Sequence, residues 1–343
     1  MSMKVVGQGH IESIDVRFVL CDLFGHDVLQ KNLSALDLPI GSAYSKAMDK
    51  YIIEGRYPIK GTLTLSGNKN AALPCIAASV LAQEPVTLRN IPAIEDVAVM
   101  FDVFRYLGGL VEQIDTHSWC LDPRSISKCE VPEELAKKVR ASILFAGPLV
   151  ARFGKAILPP PGGDTIGRRR IDTHIVALQE LGARISLENT LGFSATKLVG
   201  VPVFLDEASV TGTENAIMAA SLAEGTTILM NAACEPHVQD LCRMLIQMGA
   251  DIDGVGSNRL IIQGAKSLNG TDFTISADYM ELGSFIGLAA VTGGDLRIDG
   301  VRADDLPPLK VGFSKLGVTW DLKGNTLRPN NMVALRVVPD IGG

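Results

Sequence analysis

Aromatic residues are scarce, at 5% of the 343-residue chain. That argues against a surface of stacked rings for single-stranded nucleic acid. An excess of positive charge is missing too: 32 Lys and Arg face 38 Asp and Glu, for a formal balance of −6. This balance argues against a general nucleic-acid binder, and any anion site has to be a local basic cluster. Metal-type spacings are absent. Cys21, Cys75, Cys120, Cys129, Cys234 and Cys242 form no CxxC and no zinc-like Cys/His pattern. They read as free thiols of a reducing compartment, with no metal and no cofactor expected. Long apolar runs are also lacking. The longest, Ala141–Ala151, is half a membrane span and is bracketed by Arg140 and Arg152. Residues 1–9 are mixed and glycine-interrupted, unlike a signal peptide. The expectation is a cytoplasmic chain with neither membrane nor nucleic acid among its partners. Hydrophobic residues, at 47%, suffice for a full core.

What the chain does contain, from Met48 onward, is repetition. Leu or Met followed by Gly, then a strand-like run, recurs at Leu107-Gly108, Leu181-Gly182, Met248-Gly249 and Leu316-Gly317. Glycine in that place is the expected stop of an amphipathic helix. A helix end, a turn and a short strand recur with the same beat at Leu81–Pro92, Arg152–Gly163, Leu222–Pro236 and Val291–Val301. The period of about 70 residues is too long for a solenoid and predicts α/β subdomains packed about a pseudo-threefold. Thr211–Glu214 and Asp278–Glu281 read as capping boxes at helix starts. Residues 1–47 show only two short apolar runs, Val16–Leu20 and Leu36–Ile40, and no motif.

Four stretches can carry chemistry. In Ser66–Pro74, SGNKNAALP, Gly67 turns the chain, and Asn68, Lys69 and Asn70 precede a helical run over Ala71–Ala82. A lysine at a helix start is unfavourable for the helix unless an anion joins it, so Lys69 reads either as a ligand contact or as a solvated lysine beside a cap. Val139–Gly154 reads as one apolar helix opening with Arg140, which is either an anion contact or a snorkelling surface residue. Pro161–His174, PGGDTIGRRRIDTH, packs glycines, Asp164 and three consecutive arginines into one loop. Glycines allow close approach of backbone to ligand, arginines grip phosphate or carboxylate, and a tuned carboxyl donates a proton. Ser209, Val210 and Thr211 stand before a helix and offer backbone donors to an anion, without the Walker pattern of a P-loop.

Together these motifs, with the Asn231–Pro236 segment NAACEP, resemble the UDP-N-acetylglucosamine 1-carboxyvinyltransferase family of enolpyruvyl transferases, from Met48 to about Val338. The sister family acting on 3-phosphoshikimate shares the fold but lacks the GNKNAALP and GGxxIGxRxxDxH patterns. The resemblance implies an inside-out α/β barrel of repeated βαβαββ-like units, with phosphoenolpyruvate and UDP-N-acetylglucosamine as substrates. It implies addition of the sugar 3-hydroxyl to C2 of the enol while an acid protonates C3, then loss of phosphate, without metal. Carried over by motif, Lys69 and Asn70 match the phosphoenolpyruvate contacts, and Arg140 and Arg169 match substrate-binding arginines. Arg169, Ile171, Asp172, Thr173 and His174 match the uridine-nucleotide segment. Ser209, Val210 and Thr211 match the diphosphate turn, and Asp164 matches the acid on the mobile loop. The implied division is an extension over 1–47, a three-unit domain over 68–276, and a partial second domain from 48–67 plus 277–343.

Two departures from the family pattern matter. Well-known members carry cysteine where Asp164 stands, and a free aspartate, with a pKa of about 3.9, is a poor acid at neutral pH unless it is raised. Glu207 stands where a lysine is often found near the nucleotide. Six units are expected and four are counted, so the second domain is incomplete over these 343 residues and little or no turnover is expected of them alone. Two other readings stay open: a paralogous enolpyruvyl transferase acting on another nucleotide such as UMP, and a non-catalytic nucleotide-binding remnant.

Overall fold

Residues 2–7, 10–15, 51–54, 57–163, 170–187, 190–330 and 335 are described by the computed structural model. Val16–Leu20 and Leu36–Ile40 lie outside them. Two compact units are present: residues 67–276, and residues 1–66 together with 277–343. In the second of these, β1 (Ser2–Gly7), β2 (His10–Asp15) and β3 (Tyr51–Glu54) form an antiparallel sheet in the order β2-β1-β3. Next comes β4 (Lys60–Thr64), the first strand of a recurring pattern. That pattern is edge strand, buried helix, strand, second helix, hairpin.

Unit 67–276 runs through the pattern three times. The first pass is α1 (Lys69–Ala78), β5 (Val86–Arg89), α2 (Glu95–Tyr106), β6 (Leu110–Asp115) and β7 (Ser118–Asp122). The second is the short α3 (Glu133–Ala136), a 3-10 segment Arg140–Phe145, α4 (Ala146–Phe153), β8 (Lys155–Leu158), α5 (Asp172–Glu180), β9 (Arg184–Leu187) and β10 (Leu191–Ser194). The third is β11 (Pro202–Phe204), α6 (Val210–Ala220), β12 (Thr226–Met230), α7 (Pro236–Gln247), β13 (Asp251–Asp253) and β14 (Arg259–Gln263), followed by β15 (Asp272–Thr274). The other unit adds a fourth pass: β4, α8 (Tyr279–Thr292), β16 (Asp295–Asp299), α9 (Leu306–Lys315), β17 (Trp320–Lys323) and β18 (Thr326–Pro329).

The sheets share one topology, with orders β15-β5-β7-β6, β11-β12-β14-β13 and β4-β16-β18-β17. Each edge strand runs parallel to its neighbour, and the rest of each sheet is antiparallel. In the second pass the sheet is β8-β10-β9, and its edge shrinks to the parallel bridge Glu130↔Ile157. β15 comes from the far end of unit 67–276 yet completes the sheet of the first pass. Arg89 clamps it there by donating to both Asp272 carboxylate oxygens, at 2.7 and 2.6 Å.

The repeated sequence markers have physical causes. Gly108, Gly182, Gly249 and Gly317, two past the end of each helix, take φ of 110°, 100°, 105° and 76°, which side chains avoid. After β5 and β12 the chain turns through left-handed Asn90 and Asn231, and after β16 through Gly300. Asn tolerates this region because its side chain bonds locally. Asn90 Nδ2 donates to the Ile275 carbonyl and Asn231 Nδ2 to that of Leu205, each at 2.9 Å, fastening the strand to its parallel neighbour's end.

In unit 67–276 the first helix of each pass is buried almost all round: every residue of Ala71–Ala78, Ala146–Val150 and Gly212–Ala220. Helices with no polar face belong in the interior. Sheets lie outside them, which is the inside-out α/β arrangement that the family resemblance implies.

Local boundaries differ from expectation in three places. α1 begins at Lys69 rather than Ala71, because the buried Asn68 caps it, its Oδ1 accepting from the Asn70 and Ala71 amides at 2.8 and 3.3 Å. Val139–Gly154 is two segments, 3-10 and then α, because the Asn215 side chain enters the backbone ladder between Ile143 and Gly147. Thr211 is not a cap. Ser209 caps α6, its Oγ accepting from Gly212 N at 3.2 Å, so Glu214 falls outside any capping box. At α8 the expected box is half formed. Asp278 caps it at 2.8 Å from Met280 N, but the Glu281 carboxylate accepts from Ser66 N at 2.7 Å instead.

Candidate functional site

Lys69, Arg140 and Val210 open the first helical segment of the three passes through unit 67–276, so the repeat places them equivalently. The start of α5 comes up against the third of these starts. Gly212 allows it: a Cβ there would lie 2.8 Å from Thr173 Cγ2, so α5 and α6 approach at their N-termini only because the side chain is a hydrogen. Across that contact the His174 ring reaches Thr211 Oγ1 at 3.1 Å with Nε2, and Asn215 Nδ2 at 2.8 Å with Nδ1. Arg140 Nη2 donates to the Arg170 carbonyl at 2.8 Å, joining the 3-10 start to the same cluster.

Among the described residues the structure thus brings Arg140, Ile171, Asp172, Thr173, His174, Ser209, Val210 and Thr211 into one neighbourhood. His174 is buried and its pKa is pushed down to about 4, by burial first and by the Arg140 charge second. It is a neutral imidazole at physiological pH. The Thr173 hydroxyl donates to Asp206 at 2.8 Å, and the Arg170 guanidinium bonds the Asp172 carboxylate at 2.5 Å. Arg170 is raised by the Asp172 carboxylate, first through the hydrogen bond and then through its charge. Half-buried Ser209, Val210 and Thr211 stand at the positive end of an eleven-residue helix, where an anion is favoured.

The loop before α5 is anchored from below. Gly162 N and Gly163 N donate to the Ala136 and Lys137 carbonyls at 3.0 and 3.1 Å. A Cβ on Gly162 would meet the Lys137 carbonyl oxygen at 2.0 Å, and one on Gly163 would sit 3.1 Å from Arg140 N. The paired glycines therefore seat the loop directly on the Arg140 start. Asp164 and Arg169 lie outside the described residues.

Lys69 is paired rather than open: its Nζ lies 2.6 Å from Asp96 Oδ2. The sequence asked for an anion at this helix start, and Asp96 on α2 provides one. Both side chains keep about a third or more of their exposure, so the pair contributes at most about 1 kcal/mol and can be exchanged for a ligand anion. Asn70 beside it is exposed. Asp96→Asn is expected to tighten binding of phosphoenolpyruvate by up to about fivefold by removing the competitor; titration calorimetry on the two proteins checks it. Sequence reasoning missed Asp96, Asp206 and Asn215. Asp96 and Asp206 carry no motif signal, while Asn215 carried a weak one, an amide beside the apolar run Ala216–Ala220.

A strand–helix–strand–helix–hairpin unit repeated around buried helices, with anion-ready helix starts, defines an enolpyruvyl-transferase-type protein. Residues 53–334 match the EPSP synthase (3-phosphoshikimate 1-carboxyvinyltransferase) family, and the chain belongs to that family on the UDP-N-acetylglucosamine 1-carboxyvinyltransferase side. It is 60% identical over 296 residues to the UDP-N-acetylglucosamine 1-carboxyvinyltransferase of Treponema denticola, covering 86% of this chain and 70% of that protein. It is 57% identical over 296 residues to that of Treponema pallidum, with the same coverage of 86% and 70%. Among solved structures, the enolpyruvyl transferase NikO from Streptomyces tendae superposes with a TM-score of 0.71 at 23% identity, over 80% of this chain and 66% of that one. That likeness carries the fold alone. No helix among the described residues is long and apolar enough to cross a membrane.

Proposed function

We propose that the protein transfers the enolpyruvyl group of phosphoenolpyruvate to the 3-hydroxyl of UDP-N-acetylglucosamine, releasing phosphate. The observation that carries this is the 60% identity over 296 residues to a relative named for that reaction. The reaction serves peptidoglycan synthesis, in the cytoplasm, and through it cell shape and division. In this reading unit 67–276 holds the nucleotide. The starts of α5 and α6, Arg169 and Ile171–His174 with Ser209–Thr211, grip the uridine diphosphate, with Arg140 beside them. Lys69 and Asn70 take the phosphoenolpyruvate anion once Asp96 is displaced. As the 3-hydroxyl oxygen adds to C2 and gives up its own proton to water, Asp164 gives a proton to C3. The C–O bond to phosphate then breaks and C3 returns a proton, restoring the double bond. Asp164 has to be raised to act at neutral pH, and water exclusion around the bound anions is the means.

The acceptor is tested by titration calorimetry of the full chain with UDP-N-acetylglucosamine and with UMP. Binding of the sugar nucleotide at least tenfold tighter than UMP, a difference of about 1.4 kcal/mol, is the expected result. Equal affinities would move the assignment to a different nucleotide acceptor. No binding of either would remove the assignment altogether.

A further inference from the structure

Asn215 is buried in the middle of α6 and belongs to none of the motifs above. Its amide is held by three partners whose polarities leave no freedom. The Gly147 amide can only donate, and it meets Asn215 Oδ1 at 2.8 Å. The Ile143 carbonyl can only accept, and it meets Asn215 Nδ2 at 2.9 Å. These two backbone groups are the pair an α-helix would join directly, so the amide stands in for a missing helical hydrogen bond and its orientation is fixed by it. The second Nδ2 proton then points at His174 Nδ1, 2.8 Å away. That ring nitrogen must accept. A neutral imidazole accepting at Nδ1 carries its proton on Nε2, and Nε2 faces Thr211 Oγ1 at 3.1 Å. Thr211 Oγ1 therefore receives a hydrogen bond from the ring, and its own proton remains to be given elsewhere. Gly147 is required for the contact: a Cβ there would lie 2.6 Å from the Asn215 carbonyl oxygen and 2.8 Å from Oδ1.

We propose that Asn215 is a positioning residue of the nucleotide site: it locks His174 as the Nε2–H tautomer and so keeps the Thr211 hydroxyl as a hydrogen-bond donor to the anionic diphosphate at the start of α6. The identity of the ligand rests on the function proposed above; the tautomer does not. A diphosphate diester has acceptors only, so a hydroxyl committed to donating suits it, and one turned back to the ring does not. Among the described residues, the charged groups around the ring are Arg140 from the 3-10 segment, Arg170 and Asp172 at the start of α5, and Asp206 before α6. Burial first, and the Arg140 charge second, keep the ring neutral, so the arrangement persists across the neutral range.

Two measurements test this. In the wild-type protein, the long-range nitrogen–proton NMR spectrum of the His174 ring should show the proton on Nε2 and a bare Nδ1 from pH 5.5 to 8, a window above the ring's pKa of about 4. A proton on Nδ1 overturns the proposal whatever the protein binds. Asn215→Asp replaces the donor to Nδ1 with an acceptor, so the neutral ring must shift its proton to Nδ1 and take the Thr211 proton on Nε2. That variant should bind UDP-N-acetylglucosamine about tenfold or more weakly at pH 8, the loss of one hydrogen bond to a charged group. It should recover affinity toward pH 6, because the new carboxylate beside Nδ1 raises the ring's pKa and the imidazolium regains Nε2–H, while the wild type stays flat. A loss that does not change with pH would mean a structural role only. Thr211→Val, which removes the hydroxyl without touching Asn215, should lose about the same tenfold and show no recovery; wild-type affinity in this variant overturns the proposal even if Asn215→Asp does not fold. If the wild type fails to bind the sugar nucleotide, the function assignment falls and the ligand half of this proposal falls with it, whereas the spectrum still decides the tautomer.

Discussion

Gly67→Ala is expected to destabilise unit 67–276 by about 3 kcal/mol or more, at the upper end of what overpacking costs. A Cβ on Gly67 would lie 1.6 Å from the carbonyl oxygen of Asn90 and 2.8 Å from its carbonyl carbon. Those atoms cannot yield cheaply. Asn90 is held left-handed at φ 57°, and its side chain donates to the Ile275 carbonyl at the end of the swapped edge strand β15. On the other side, the next residue, Asn68, is buried, donates its amide to the Ser276 carbonyl at 2.8 Å and caps α1. The added methyl therefore pushes either on the closure of the first sheet or on the cap that sets Lys69. Urea denaturation measures the loss, and phosphoenolpyruvate affinity should fall with it because the start of α1 moves. Gly312→Ala is the control. Gly312 lies inside α9, where an added methyl would meet nothing within 4 Å, and alanine there should raise stability by about 0.5–1 kcal/mol. If the two substitutions behave alike, the close approach of Gly67 to Asn90 is not what requires the glycine.

The features legible in the sequence were the ones whose cause is local. A left-handed residue after a helix demands glycine, so Leu107-Gly108 and its three counterparts announced the repeat without reference to anything distant. Asp278 could be read as a cap for the same reason, since a cap bonds amides two and three residues along. What could not be read was set by partners far away in sequence. β15 joins the sheet of β5 from 183 residues downstream, as the Arg89–Asp272 clamp records. The break in Val139–Gly154 is made by Asn215, 72 residues beyond Ile143. Within the stretch the local signal of a break is Pro148, which lacks an amide hydrogen and sits in the first turn of α4, while the need for Gly147 is visible only once Asn215 is in place. Lys69 shows the middle case. Its position at a helix start left a ligand contact and a solvated lysine open, and the structure instead pairs it with Asp96 on the next helix, a partner that no local signal marks.

Glu214→Gln is expected to stabilise the protein increasingly as pH rises, by about 1.4 kcal/mol for each unit by which folding raises the Glu214 pKa. The sequence suggested that Glu214 closes a capping box on Thr211. Because α6 is capped earlier, by Ser209, Glu214 lies inside the helix, 1% exposed, and its Oε1 has no hydrogen-bond partner among the described residues. Glu235, at the cap position of α7, also buries a carboxylate oxygen with no partner among them. Burial raises the Glu214 pKa well above its ordinary value, and the nearby Glu235 charge adds to it. The sign follows. An acid whose folded pKa exceeds its unfolded value of about 4.3 contributes its full stability below that pH. Above it, the unfolded chain ionises while the folded one resists, and stability is lost as pH rises through the folded pKa. Glutamine has no proton to lose, so the variant and wild-type curves should diverge above about pH 4.3 and run parallel below it. Chemical denaturation at a series of pH values from acid to alkaline resolves this. Parallel curves throughout would mean that Glu214 ionises as easily in the folded protein as in the unfolded chain, and that the carboxyl finds a partner in solution. Divergence would identify the Glu214–Glu235 pair as a built-in limit on alkaline stability, carried by the helix whose N-terminal end is proposed above as the nucleotide site.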